Sequence, residues 1–114
     1  METALGQHPD AAFLCMARDI ALTHHERYDG TGYPAGLAGD DIPLAGRIVA
    51  LADVYDAMTS ARVYKEPFDH DTARDLILVE RGKQFDPDVV DAFVASEKDI
   101  IEIRRHFADV ALLA

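Results

Sequence analysis

Apolar residues recur along this chain at helical spacing, and no stretch alternates with the two-residue period of a strand. Between Asp10 and Arg27, Phe13, Ala17, Ile20 and His24 follow one another at three- or four-residue steps, with Met16 beside them and Asp10 suited to cap the start. A second helix is predicted from Pro43, a residue at home in the first helical position, to about Thr59. Its stripe is Ile48, Leu51, Ala52, Tyr55 and Met58. A third spans about Asp71 to Arg81, with Ala73, Leu76, Ile77 and Glu80 on one side and Gly82 as its stop. Asp86-Pro87 reads as a cap followed by a first helical residue. It opens a last helix, to about Phe107, that presents Val90, Phe93, Val94, Ile100, Ile101 and Ile103. The stretch YDGTGYPAGLAGDDIP, with four glycines and two prolines, is a loop, and ARVYKEPFDH is a connector. The expectation is an all-α domain.

Composition narrows the classes of function. With 49% apolar and 28% charged residues in 114, the chain suits one small folded domain. A net charge of −10 argues against a DNA- or RNA-binding surface, which needs basic patches to displace counterions. A small anionic ligand remains compatible, because a bound divalent ion can reverse the local field. The lone cysteine, Cys15, forms no internal disulfide and suits a reducing, cytoplasmic setting. No apolar run approaches the roughly 18 residues of a membrane span, and METALGQHPD lacks the features of a signal peptide, so no membrane role is expected.

Two places carry candidate chemistry. His24 and His25 close the first predicted helix, where neighbours point about 100° apart. They could approach metal ions from adjacent directions, or simply complement the helix dipole. Asp53 has Val49, Ala50, Asp56 and Ala57 as helical neighbours, which predicts that it faces inward or into a cleft. A carboxylate placed there needs a partner: a salt bridge to Arg47 or Arg62, or a metal. Asp56, nearer the stripe's edge, suits a structural bond. Imidazoles and a carboxylate together suit iron, manganese or zinc, and paired ions can clamp a phosphodiester. Three ligands are too few to hold two ions. In the loop, Gly30 and Gly32 are expected to supply positive φ and Pro34 to stiffen the exit, while Tyr33 is an aromatic available for contact. Asp29 is a candidate to orient the histidine end of the helix.

The string HHERYDGTGYP, His24 to Pro34, resembles the second signature of the HD-GYP family, HHExxDGxGYP, at every fixed position. IPLAGRIVALADVYDAMTSARVYK (Ile42 to Lys65) and GKQFDPDVVDAF (Gly82 to Phe93) resemble the family as well, so the likeness covers about Ala11 to Phe107. It implies a helical, metal-dependent phosphodiesterase domain of bacterial second-messenger signalling, usually acting on cyclic di-GMP. It implies His24 and His25 as paired metal ligands, Asp53 as a bridging carboxylate, and Arg62 and Lys65 as contacts to substrate phosphate. Read without the resemblance, Arg62 and Lys65 are equally ordinary solvated charges. It also implies that Gly32, Tyr33 and Pro34 belong to a loop that docks diguanylate cyclase (GGDEF-type) domains.

The family's His-Asp pair, a nearby lysine and a further histidine ligand precede the paired histidines, and no His-Asp dipeptide occurs before His24 here. His8 lies too close to His24 to be that histidine. His70-Asp71 lies downstream, where the aspartate suits a helix cap, and is taken as coincidence. The expectation is therefore a partial HD-GYP domain over 1–114, a truncated HD-type helical fold with a Gly/Pro-rich loop. It would hold divalent ions loosely, be inactive alone and self-associate. The alternative is a degenerate, non-catalytic module that binds a nucleotide or docks the cyclase. No residue matches a general acid.

Overall fold

A computed structural model describes residues 9–61 and 66–113. Among the described residues five α-helices follow in order: α1 (Pro9–Thr23), α2 (Leu44–Thr59), α3 (His70–Val79), α4 (Pro87–Ala95) and α5 (Glu97–Leu113), with a 3-10 turn at Gly39–Asp41. Among the described residues there are no strands, only two isolated bridges, Asp29 to Ala38 and Arg81 to Phe85. The fold is all-α, as expected.

Helix α2 lies at the centre, touching α1, α3 and α4. Its Leu51 and Tyr55 meet Ala73 and Ile77 of α3, Phe85, and Val90 and Phe93 of α4 in one buried cluster. Val54, Met58, Val89, Val94 and Ile100 pack around it. Of the stripe predicted for α2, Ile48 and Ala52 stay exposed, and Ile48 borders an apolar groove of about 510 Å³ between α2 and α4. The closeness of α1 and α2 depends on Gly46. A Cβ there would run into the Thr23 side chain, whose hydroxyl donates to the Asp19 carbonyl.

Several boundaries differ from expectation. Helix α1 is already helical at Pro9, so Asp10 lies within it, and it ends at Thr23 rather than Arg27. The buried face of α1 runs through Cys15 and Thr23, whereas the predicted stripe is open at Phe13 (70% exposed), Met16 and Ala17 and only half-buried at Ile20 and His24. Pro43 is the cap of α2 rather than its first residue. Asp69, not Asp71, caps α3, accepting from the Thr72 N–H at 2.8 Å. Asp86 caps α4 as predicted, and Pro87 is first in the helix. The single last helix is two. Ser96 (φ −104°, ψ 14°) leaves the helical path while its N–H reaches back to Ala92 and Phe93, and its carbonyl accepts from Ile100 to start α5.

Candidate functional site

The chain leaves the helix at Thr23, and this departure sets the site. His24 and His25 lie in the turn that follows, not on a regular helix. Their rings come to a centroid distance of 3.9 Å, tilted by 41°, instead of diverging as helical neighbours would. His24 Nδ1 is 2.8 Å from the Ile20 carbonyl. A ring nitrogen beside a carbonyl carries the proton, so in the neutral ring the lone pair is on Nε2, the tautomer a metal ligand uses. His25 stacks on Tyr33, with centroids 5.0 Å apart and planes within 15°.

The loop beyond the histidines folds back over them. Gly32 is essential to this for a reason different from the expected one. Its φ is not positive; a Cβ on it would lie 2.6 Å from the His25 carbonyl oxygen and 2.7 Å from the Glu26 Cα. Gly30 does adopt positive φ, at 85°. The Tyr33–Pro34 peptide is cis. Asp29 does not orient the histidines. Its carboxylate accepts from the Thr31 hydroxyl (2.6 Å) and N–H (3.0 Å), and these bonds, with Arg27 nearby, hold its carboxyl below the usual aspartate value. The loop is also tied to the segment between α3 and α4, since the Tyr28 and Asp29 N–H groups donate to the Gln84 and Lys83 carbonyls. Two stretches distant in sequence thus meet beside the histidine turn.

A pocket of about 310 Å³ results, lined by residues that include His24, His25, Glu26, Arg27, Tyr33 and Asp53. Asp53 arrives from α2. It is exposed rather than buried, and Arg47 does not pair with it, because Arg47 is bound to Asp86 (2.6 Å) and the Ile42 carbonyl. Asp56 makes the structural bond expected of it, accepting from the Ser60 hydroxyl at 2.9 Å. His24, His25 and Asp53 thus line the same pocket. Among the described residues, however, no three His, Cys, Asp or Glu side chains are arranged to hold a metal ion. Arg62 and Lys65 lie outside the described residues. Tyr33 is 63% exposed on its outer side, and Pro34 beside it is exposed.

Sequence reasoning missed two residues. Glu26 is 4% exposed, and its oxygens accept from the N–H groups of Ala35 (3.0 Å) and Leu37 (2.8 Å). A glutamate beside two histidines offers no cue that its partners are backbone groups across a loop. His70 is also buried, between the Tyr55 hydroxyl (2.9 Å) and Glu97 (2.8 Å), with Arg74 on Glu97 at 3.2 Å. Burial pushes the Tyr55 hydroxyl up, and the His70 bond, then Arg74, holds the Glu97 carboxyl down. That network joins α2, α3 and α5 and lies outside the pocket.

A family profile described as an HD domain matches residues 5–89, about three-quarters of the chain. The chain belongs to the HD domain family. A cyclic di-GMP phosphodiesterase of Vibrio cholerae is 57% identical over 101 residues, covering 89% of this chain and 20% of that protein. A 3'3'-cGAMP-specific phosphodiesterase of the same organism is 43% identical over 94 residues, covering 82% and 18%. A solved Vibrio cholerae cyclic GMP-AMP-specific phosphodiesterase matches this HD-domain fold with a TM-score of 0.56 and 25% identity, over 82% of this chain and 22% of its own. The chain spans about a fifth of the length of these relatives. Among the described residues no helix is long and apolar enough to cross a membrane.

Proposed function

We propose that this chain supplies one wall of a metal-dependent site that hydrolyses a cyclic dinucleotide, cyclic di-GMP or a close relative, in bacterial signalling. The observation that supports the reading is that His24, His25 and Asp53 line one pocket, with His24 Nδ1 bonded to the Ile20 carbonyl so that in the neutral ring Nε2 is the open nitrogen. Two imidazoles and a carboxylate suit iron, manganese or a similar divalent ion by donor type, although among the described residues they are not grouped closely enough to hold one. Such an ion, when bound, neutralises phosphate charge and makes water a better nucleophile. The chain's own part is to present two imidazoles and a carboxylate, with Arg62 binding substrate phosphate as a forked charge and Lys65 as a point charge. The proposal includes little or no turnover by this chain alone.

One observation favours a second reading, a non-catalytic module that binds the nucleotide or docks a GGDEF-type cyclase. The donors do not close into a three-ligand set among the described residues, while Tyr33 offers a rigid aromatic for contact. Calorimetry with cyclic di-GMP, with and without Mn²⁺, separates the readings. The first expects binding that needs Mn²⁺ and weakens in Arg62→Ala. Equal binding without metal favours the second, and no binding under either condition removes the nucleotide from both. Rapid Mn²⁺-dependent release of linear dinucleotide would overturn the claim of inactivity.

A further inference from the structure

The two histidines are held by different devices. His24 is fixed by its own helix, through the Ile20 carbonyl. His25 has Tyr33 across its face, and the Tyr33 N–H donates to the His25 carbonyl at 3.3 Å. Tyr33 is itself largely exposed, so solvent-side packing cannot hold its ring in place. What fastens this stretch is Glu26. Each of its buried carboxylate oxygens takes one backbone N–H just beyond Pro34, from Ala35 and from Leu37. A carboxylate accepts both bonds without steric conflict, and charge-assisted bonds of this kind are strong and directional. Gly32 lets the intervening chain lie directly over the Glu26 backbone. Glu26, the loop, Tyr33 and His25 therefore form one closed circuit.

We propose that Glu26 is a positioning residue for His25: it fastens the loop, the loop sets the Tyr33 ring, and the ring sets the direction in which His25 faces the pocket. Its value to the site rests on the reading of His25 as a metal ligand. The circuit itself can be read without metal or nucleotide.

The test is NMR of histidine-labelled chain, comparing wild type with Glu26→Gln, Tyr33→Ala and Tyr33→Phe. A stacked tyrosine shifts the His25 ring protons upfield. Tyr33→Phe should keep that shift, and Tyr33→Ala should abolish it. Glu26→Gln should abolish it too, because an amide offers one acceptor oxygen and turns N–H groups on the second backbone donor. The His24 Nδ1–H signal should persist in all three. Glu26→Gln that lowers the melting temperature but leaves the His25 shift in place overturns the proposal. If Glu26→Gln does not fold, Tyr33→Ala decides, since Tyr33 is exposed: an unmoved His25 resonance overturns the circuit. A Mn²⁺ titration is read separately, with about tenfold weaker binding expected when the circuit is cut. A lost His25 shift in variants of a chain that binds no Mn²⁺ supports the circuit and removes the metal reading.

Discussion

Asp86→Ala should be among the most damaging single changes outside the apolar core. Asp86 is 4% exposed and takes the Arg47 guanidinium at 2.6 Å, while its other oxygen accepts from the Asp88 N–H at 2.8 Å to cap α4. Losing the cap costs about 1 kcal/mol. Removing one partner of a fully buried ion pair costs roughly 3–5 kcal/mol. Arg47 is itself partly exposed, retains the Ile42 carbonyl and has the exposed Asp40 at 3.6 Å, so a cost below that range, about 2 kcal/mol, is taken here. The total is about 3 kcal/mol, a large share of the roughly 5–15 kcal/mol that holds a domain together. Asp86→Asn keeps an oxygen for the cap and loses only the charge, so about 2 kcal/mol is expected. Urea unfolding reads both, with midpoint shifts of roughly 2–3 M for alanine and less for asparagine. Equal losses in the two variants would refute the separate cap contribution. Losses under about 1 kcal/mol in both, or no coupling to Arg47→Met in a double-mutant cycle, would reduce the pair to a surface contact. The pair matters for the site because it ties the start of α2, the helix that carries Asp53, to α4.

Gly32→Ala places a Cβ against the backbone of His25 and Glu26, which has no flexible tip to yield. About 2–3 kcal/mol of destabilisation is expected, with loss of the Tyr33–His25 stack, and a wild-type melting curve would contradict this. The Glu97 carboxyl titrates below its usual 4.5, first through the His70 bond. Its stabilising contribution is therefore complete above about pH 4.5 and lost as the pH falls through the lower folded value. Glu97→Gln should flatten that part of the acid unfolding curve, and an unchanged acid slope would show that Glu97 contributes nothing. Phe13, Leu14, Met16 and Leu22 of α1 are all exposed, and this apolar surface is the ground for expecting self-association. Sedimentation should show dimers or larger species at high concentration, and a strict monomer would contradict the expectation.

Periodicity and capping chemistry made the helices legible. Asp86-Pro87 marked the start of α4 because both residues act through their own backbone neighbourhood. Periodicity does not say which neighbour a stripe meets, so the stripe predicted for α1 is open at Phe13, Met16 and Ala17, and the buried contacts run through Cys15 and Thr23 instead. The break at Ser96 carries no glycine or proline and follows from tertiary contacts of α5, with Glu97 drawn to His70 and Ile100 to the core. The histidines and the loop stand together in one motif and Asp53 in a second matched stretch, and the fold lines one pocket with His24, His25, Tyr33 and Asp53. Their arrangement was not legible: the end of α1 at Thr23 sets the 3.9 Å approach of the two rings. Glu26 and Gly32 act through backbone groups that only the folded loop brings near.

The central claim, that of the proposed function, is that His24, His25 and Asp53 each contribute a donor to a divalent-cation site. Electron paramagnetic resonance of a Mn²⁺ titration tests it most directly, comparing wild type with His24→Ala, His25→Ala, Asp53→Asn and Glu102→Gln, the last a control on exposed α5. The account predicts weak but saturable binding by wild type and by the control. It predicts loss of at least tenfold in affinity for each of the three pocket variants. Indistinguishable titrations across all five proteins would contradict it.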